Sequence, residues 1–299
     1  MRRRTLLATS IATSIATPIA TLLAGAAAAA EPAPISIVAA ENFYADIAGQ
    51  IGGPGVAVTA ILSNPDEDPH LFEASPSVAR AIAGAAIVIA NGLGYDDWMG
   101  KLLAARGAAQ PKSIVVADLL GRKAGANPHL WYAPATMPAV AEALATALTA
   151  IDQAHAADYA ARLQAFQDSM APLQARVAAL HKRFAGLPIT ATEPVFGEMA
   201  AALGLVVRNV RFQLSVMNDT EPAASDIAAF EADLRHHRVH LLIYNVQATN
   251  TAAQRMQRLA KESGIPILGV SETEPAGTTY QRWMLETLAA LETALAVAR

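Results

Sequence analysis

The chain contains no cysteine among its 299 residues. Disulfide stapling and thiolate metal ligation are therefore excluded, and no thiol is present to carry a bacterial lipoprotein anchor. Aromatics are sparse, at 5%, and charged residues make up 16%. No basic excess exists: 22 Lys and Arg face 26 Asp and Glu, a formal net charge of −4. Nucleic acid thus has no electrostatic ground for binding. Past the N-terminal region no continuous apolar run reaches the roughly 18 residues that a membrane span needs. The H-E-x-x-H, G-x-S-x-G and P-loop patterns of common hydrolases and nucleotide enzymes are also missing. What the chain has in quantity is apolar residues, 53% of the total. That excludes a disordered chain, and the length suits about two domains or one large one.

The first thirty residues read as a targeting segment. Arg2, Arg3 and Arg4 precede an apolar stretch from Thr5 to Ala24, and small residues end at Ala28-Ala29-Ala30. Charge, apolar core and small-residue end together describe a secretory signal peptide. Pro18 and several Ser and Thr interrupt the run, which argues against a membrane anchor. Export is by the general secretory or the twin-arginine route. The mature chain is expected to be soluble, periplasmic and, with the three arginines removed, more acidic.

Beyond residue 30 the pattern alternates between strand and helix. Strands are expected at Ile35–Ala40, Val56–Leu62, Ile87–Ala90 and Ser113–Ala117. Helices are expected at Asn42–Ile51, after Ser75 as N-cap, at Asp97–Arg106 and at Met137–Ala150. No hairpin dipeptide joins two successive strands, so the layers should be parallel α/β. From Gln153 to Phe184 the pattern is helical almost without break. Tyr159, Leu163, Phe166, Met170, Leu173, Val177 and Leu180 recur three and four apart. Pro172 is a potential kink, and Gly186 with Pro188 ends the run. The alternation then resumes, with strands at Ile189–Thr192, Val206–Val210, Val239–Tyr244 and Ile267–Val270. Helices fall at Phe196–Leu203, at Ser225–His237 with Ser225 as N-cap, at Ala252–Ser263 and at Thr278–Val297. The expected organisation is an N-terminal α/β lobe over 31–150, a linking helix over 151–187 and a C-terminal α/β lobe over 188–299. The long helix should join the lobes stiffly.

A short motif occurs twice with a histidine in it: Asp68-Pro69-His70-Leu71-Phe72 and Asn127-Pro128-His129-Leu130-Trp131. Proline stiffens each loop and lets it present an imidazole at low entropic cost. The other five histidines lack these flanks. His155, His181, His236, His237 and His240 read as solvated surface residues, although His236 and His237 could form an adventitious metal site. In the second half Glu193 directly follows the strand Ile189–Thr192 and Glu272 follows Ile267–Val270, where open α/β sheets bind ligands. A lone Glu there is more often a helix cap or a solvated charge. Two imidazoles and two carboxylates together would make an all-protein metal site.

These residues give the chain a resemblance to the cluster A-I periplasmic metal-binding proteins of zinc and manganese ABC transporters. The motifs that carry it are Asp68-Pro69-His70 with the Ser75-Pro76 helix start, Ile87 to Gly94 with Trp98, Asn127-Pro128-His129-Leu130-Trp131, the long helix, Thr192-Glu193-Pro194-Val195-Phe196, and Tyr280 with Trp283 and Met284. The resemblance implies two α/β lobes joined by a single long rigid helix, with the metal cleft between them. It implies His70, His129, Glu193 and Glu272 as ligands of one divalent ion carried as cargo to a membrane permease for import. It also implies a binding protein and not an enzyme, and a monomer is expected.

The chain departs from the family pattern in places. The third ligand is His in many zinc members and Glu in manganese-type members; here it is Glu193. The fourth is usually Asp, whereas here Glu272 matches, with Glu274 as its rival. Asn245 stands where an acidic residue is common, and Gly121 to Ala126 lacks the His-rich loop of many zinc members. Two imidazoles with two carboxylates are a harder set than three imidazoles with one carboxylate, which favours Mn(II) slightly over Zn(II) and admits Fe(II). The competing readings are a metal-dependent hydrolase and a carrier of a small organic solute. The latter needs a cleft lined by aromatics and Arg, and aromatics are few.

Overall fold

The computed structural model describes Met1 and residues 33–67, 69–105 and 110–297. Apart from Met1 the expected targeting segment lies outside the described residues, as do Asp68 and Arg106. Residues from Pro34 onward form one compact unit. Among the described residues no helix is long and apolar enough to cross a membrane.

The first lobe runs β1 (Ile35–Glu41), α1 (Asn42–Gly52), β2 (Val56–Leu62), α2 (Pro76–Gly84), β3 (Ile87–Ala90), α3 (Asp97–Ala104), β4 (Lys112–Val115), α4 (Val116–Leu119) and α5 (Thr136–Ile151). Its four strands pair in parallel in the order β2-β1-β3-β4. All four residues of β3, Ile87-Val88-Ile89-Ala90, are buried, as a parallel strand covered on both faces requires. Phe43, Ile47 and Ile51 of α1 with Val140, Leu144 and Leu148 of α5 cover one face; Ile82 of α2 and Met99 of α3 cover the other.

A 29-residue helix, α6 (Ala156–Phe184), follows. The second lobe then runs β5 (Pro188–Ala191), α7 (Gly197–Ala202), β6 (Val206–Arg208), α8 (Val210–Met217), α9 (Ala224–Arg235), β7 (Leu242–Asn245), α10 (Thr251–Glu262), β8 (Ile267–Val270) and α11 (Tyr280–Val297). Its sheet is again parallel, in the order β6-β5-β7-β8. Each lobe therefore sends its second strand to one side of the first and its third strand to the other. That places a topological switch point between β1 and β3 and another between β5 and β7. The crevice beyond such a point, at the strands' carboxyl ends, is where open α/β sheets take ligands.

Several local expectations fail for identifiable reasons. Ser75 does stand at the N-cap of α2 with Pro76 in the first turn, but its Oγ pairs with Ser77 Oγ at 2.7 Å and makes no capping bond; α9 starts after Ala223, so Ser225 lies inside the helix. Val206–Val210 is not one strand. Asn209 takes a left-handed conformation at φ 60° and turns the chain into α8, which the apolar run Val206-Val207 disguises. Ser113–Ala117 likewise divides into β4 and the short α4. Gly264 does close α10 at φ +69°, with Ile265 N–H bonding back to Ala260 O.

The main hydrophobic core is continuous across both lobes. Phe43 stacks on Trp131 at 4.6 Å between ring centroids, Tyr132 meets Trp283 at 5.7 Å, and Tyr280 donates its hydroxyl to Trp131 O at 2.7 Å. The buried faces of α6 (Tyr159, Phe166, Met170, Leu173, Leu180) and α11 (Leu288, Leu291, Leu295) complete it. Fully burying such a side chain stabilises the fold by about 1.5–3 kcal/mol, so this shared core holds the lobes firmly together. Pro172 lies within α6 on its exposed side and does not interrupt the helix, although it leaves the ladder one donor short. Pro172→Ala should accordingly raise stability, by about 1–3 kcal/mol in a urea unfolding titration. An unchanged or lower midpoint would show that the helix draws benefit from the proline.

Candidate metal centre

The carboxyl ends of the strands converge on one polar pocket in an apolar surround. His70 lies in a short 3-10 turn, Pro69–Leu71, in the connection after β2. His129 directly precedes a second such turn, Leu130–Tyr132. Glu272 follows β8 by two residues. One donor atom from each of these three side chains lies within 4.8 Å of the other two. Glu272 Oε2 is 3.4 Å from His70 Nε2 and 3.3 Å from His129 Nε2. His129 and Glu272 are fully buried, and the His70 side chain is 18% exposed. A cavity of about 320 Å³ lined by His70, Leu71, Glu193, Asn218, Asp219 and Asn250 opens onto the site.

The structure places Glu193 beside this trio. It is buried at the start of the turn Pro194–Phe196, with no side-chain bond that would make it a helix cap. Asn245, at the end of β7, donates to Glu193 Oε2 at 2.9 Å and to Glu272 Oε1 at 2.5 Å. Glu193 and Asn245 thus flank the switch point of the second sheet. Glu274 is not part of this donor group. Its backbone is clamped by Asn42, which accepts from Glu274 N–H at 2.9 Å and donates to its carbonyl at 2.7 Å. Among the described residues no group of three donors forms around His236 and His237.

The protonation states suit a cation. Burial holds His129 below the ordinary histidine value, although Glu272 pulls the other way, so its imidazole is neutral. Burial alone would raise Glu272; the neighbouring His129 and His70 outweigh it and hold the carboxyl well below its usual range. Neutral imidazole and ionised carboxylate are the forms that coordinate metals. His129 Nδ1 lies 2.7 Å from Asn127 Oδ1, an acceptor, so Nδ1 carries the proton and Nε2 presents a lone pair to the pocket. That Nε2 is buried and makes no directed hydrogen bond. The residue two before the histidine therefore orients the ring. The acid or amide at this place in both copies of the motif was the signal for it. Tyr95, absent from the expected set, donates its hydroxyl to Glu272 Oε2 at 2.9 Å.

Two further acids stand near the pocket. Glu41 is fully buried, neither carboxyl oxygen has a hydrogen-bond partner, and burial followed by the Asp96 charge raises it well above its ordinary value. Burial and then the nearby Asp46 charge push Glu274 from 4.5 up to about 8.

A family model described as "ZnuA: Zinc-uptake complex component A periplasmic" matches residues 37–294. The iron-binding protein YfeA of Yersinia pestis is 26% identical over 180 residues, 56% of either chain. The manganese-binding lipoprotein MntA of Bacillus subtilis is 30% identical over 106 residues, 33% of this chain and 34% of its own. The chain thus spans only about a third to just over half the length of these relatives. The zinc-binding protein TroA of Treponema pallidum is 25% identical over 252 residues, 76% of this chain and 79% of its own. The solved structure of TroA superposes with a TM-score of 0.74 at 18% identity, covering 88% of this chain and 99% of that one, which shows a shared fold.

Glu274 supplies a test of the electrostatics that needs no metal. An acid raised on folding favours the native state fully below pH 4.5, and that contribution is lost as pH rises through about 8. Glu274→Gln removes the titration while keeping the shape. Thermal melts of metal-free protein should match wild type near pH 4.5. At pH 8.5 the variant should melt higher, by about 2–4 °C for each kcal/mol recovered. Parallel melting curves at both pH values would contradict a neutral Glu274.

Proposed function

The chain belongs to the family of periplasmic zinc-uptake component A proteins, and from that membership we propose that it captures one divalent transition-metal ion outside the cytoplasm and hands it to the membrane permease of an ABC importer. The carrying observation is the buried trio His70, His129 and Glu272, with an imidazole lone pair already oriented and a carboxylate already ionised. Glu193 is the fourth ligand in this reading, and the ion is cargo. A carrier, as opposed to an enzyme, suits a pocket whose donors come from both lobes. The N-terminal segment directs the chain to the periplasm, and it acts there as a monomer. YfeA, MntA and TroA are named for iron, manganese and zinc respectively. Two imidazoles and two carboxylates tilt the donor set toward Mn(II) over Zn(II), with Fe(II) admissible.

Calorimetric titration of metal-free protein should give one Mn(II) or Zn(II) per chain, and His70→Ala and His129→Ala should each weaken both ions. Because the ligands come from both lobes and meet only in the native state, bound ion stabilises the fold by roughly 2.7 kcal/mol at a hundredfold excess over Kd. Wild-type binding by both histidine variants, or an unmoved Tm under saturating metal, would refute the site.

Glu193 tests the metal choice. Glu193→Ala should weaken both ions, and Glu193→His should move the affinity ratio toward Zn(II), which takes imidazole in four-coordinate sites. If Glu193→Ala leaves both affinities intact, the residue is a bystander.

A further inference from the structure

Asn245 occupies a position from which it controls both carboxylates at once. Its orientation is fixed from behind. Gln247 N–H donates to Asn245 Oδ1 at 3.0 Å, so the amide oxygen must point there and the NH2 group must face the pocket. The opposite flip would set a carbonyl oxygen against two carboxylate oxygens. In the observed orientation both amide protons are spent, one on Glu193 Oε2 and one on Glu272 Oε1. Asn245 is 2% exposed, so no water competes for either bond. Gln247 itself is held from two sides: its Oε1 accepts from Glu272 N–H at 2.6 Å, and its Nε2 donates to Glu67 O at 2.9 Å. The amide is therefore locked to the β7–α10 connection, to the Glu272 backbone and to the loop that carries His70.

We propose that Asn245 is a specificity-determining residue: its amide group draws one oxygen of Glu193 and one of Glu272 away from the ion, so that the carboxylates bind through single oxygens. The inference rests on the metal-capture reading and refines its metal balance. Glu272 shows the division directly. Oε1 turns to Asn245, whereas Oε2 turns to the two imidazoles and Tyr95. Bidentate binding would have to rotate the carboxylate and break a charge-assisted hydrogen bond. Zn(II) loses nothing by this, because two imidazoles and two single oxygens complete a tetrahedron. Mn(II) prefers oxygen donors and more of them, and four protein ligands reach a higher number only if carboxylates give both oxygens. Asn245 thus opposes the lean toward Mn(II) that the donor set would otherwise have. An acidic side chain at this place could not act so, since it has no proton to donate.

The test compares wild type with Asn245→Ala, using Mn(II), Zn(II) and Co(II). Asn245→Ala should raise Mn(II) affinity relative to Zn(II) by about tenfold, the worth of one charge-assisted hydrogen bond. Co(II) reports coordination number, because four-coordinate Co(II) absorbs visible light far more strongly than five- or six-coordinate Co(II). Wild type should show the intense band and the variant a weaker one, a change that mere loss of stability does not produce. An unaltered Zn/Mn ratio together with an unaltered Co(II) spectrum would overturn the proposal. So would a weak, high-coordinate Co(II) spectrum in wild type, a result that requires no variant to fold. Metal binding by His129→Ala at wild-type strength would instead defeat the site itself, so the two failures are distinguishable.

Discussion

A carboxylate withdrawn from water governs this site. Glu272 has no solvent exposure, and its ionised form survives because two imidazoles, a tyrosine hydroxyl and an amide surround it. None of these partners is a permanent cation. A buried anion without a full counter-charge is costly, and the most direct compensation is a positive ion. In the proposed reading, the trio's affinity for metal and the cost of burying Glu272 are one electrostatic fact seen from two sides.

The architecture serves that constraint. Parallel strands deliver their carboxyl ends to a common edge, so side chains far apart in sequence arrive together without long excursions. The imidazoles come on proline-stiffened turns from the first lobe, and the carboxylates come from strand ends of the second. Between them runs a layer of backbone clamps, including Tyr132 to Ser271 O at 2.9 Å, Asn127 to Pro194 O at 2.8 Å and Asn42 to Glu274. These bonds lie within the same wall as the ligands. In the proposed reading, capture asks for small local movements, with the partly exposed His70 loop best placed to make them.

Much of this was legible in the sequence because periodicity and punctuation carry it. The alternation of strand and helix, the long helical run after Gln153 and the duplicated Pro-His motif are local patterns, and so were readable. What escaped depends on groups meeting across the fold. Tyr95 and Gln247 have no flanking signature, and Asn245 stood out only as a departure from the family pattern; each matters through a partner more than twenty residues away. The β6 boundary was misplaced because Val206-Val207 and Val210 look alike in sequence, while the turn at Asn209 depends on its amide bonding to Asp233 at 3.2 Å. The choice between Glu272 and Glu274 was likewise a matter of reach; the structure groups the Glu272 carboxylate with the two imidazoles.

The packing of α11 against α1 and α6 has a consequence for how the molecule is made. Phe43 and Tyr132, from the first lobe, find their aromatic neighbour Trp283 only when the last helix is present. A nascent chain that lacks Tyr280–Val297 leaves that surface uncovered, so neither half reaches its final packing on the ribosome ahead of the other. Contacts between the two ends of a chain close late and slowly. Such a polypeptide reaches its final packing only once its synthesis is complete.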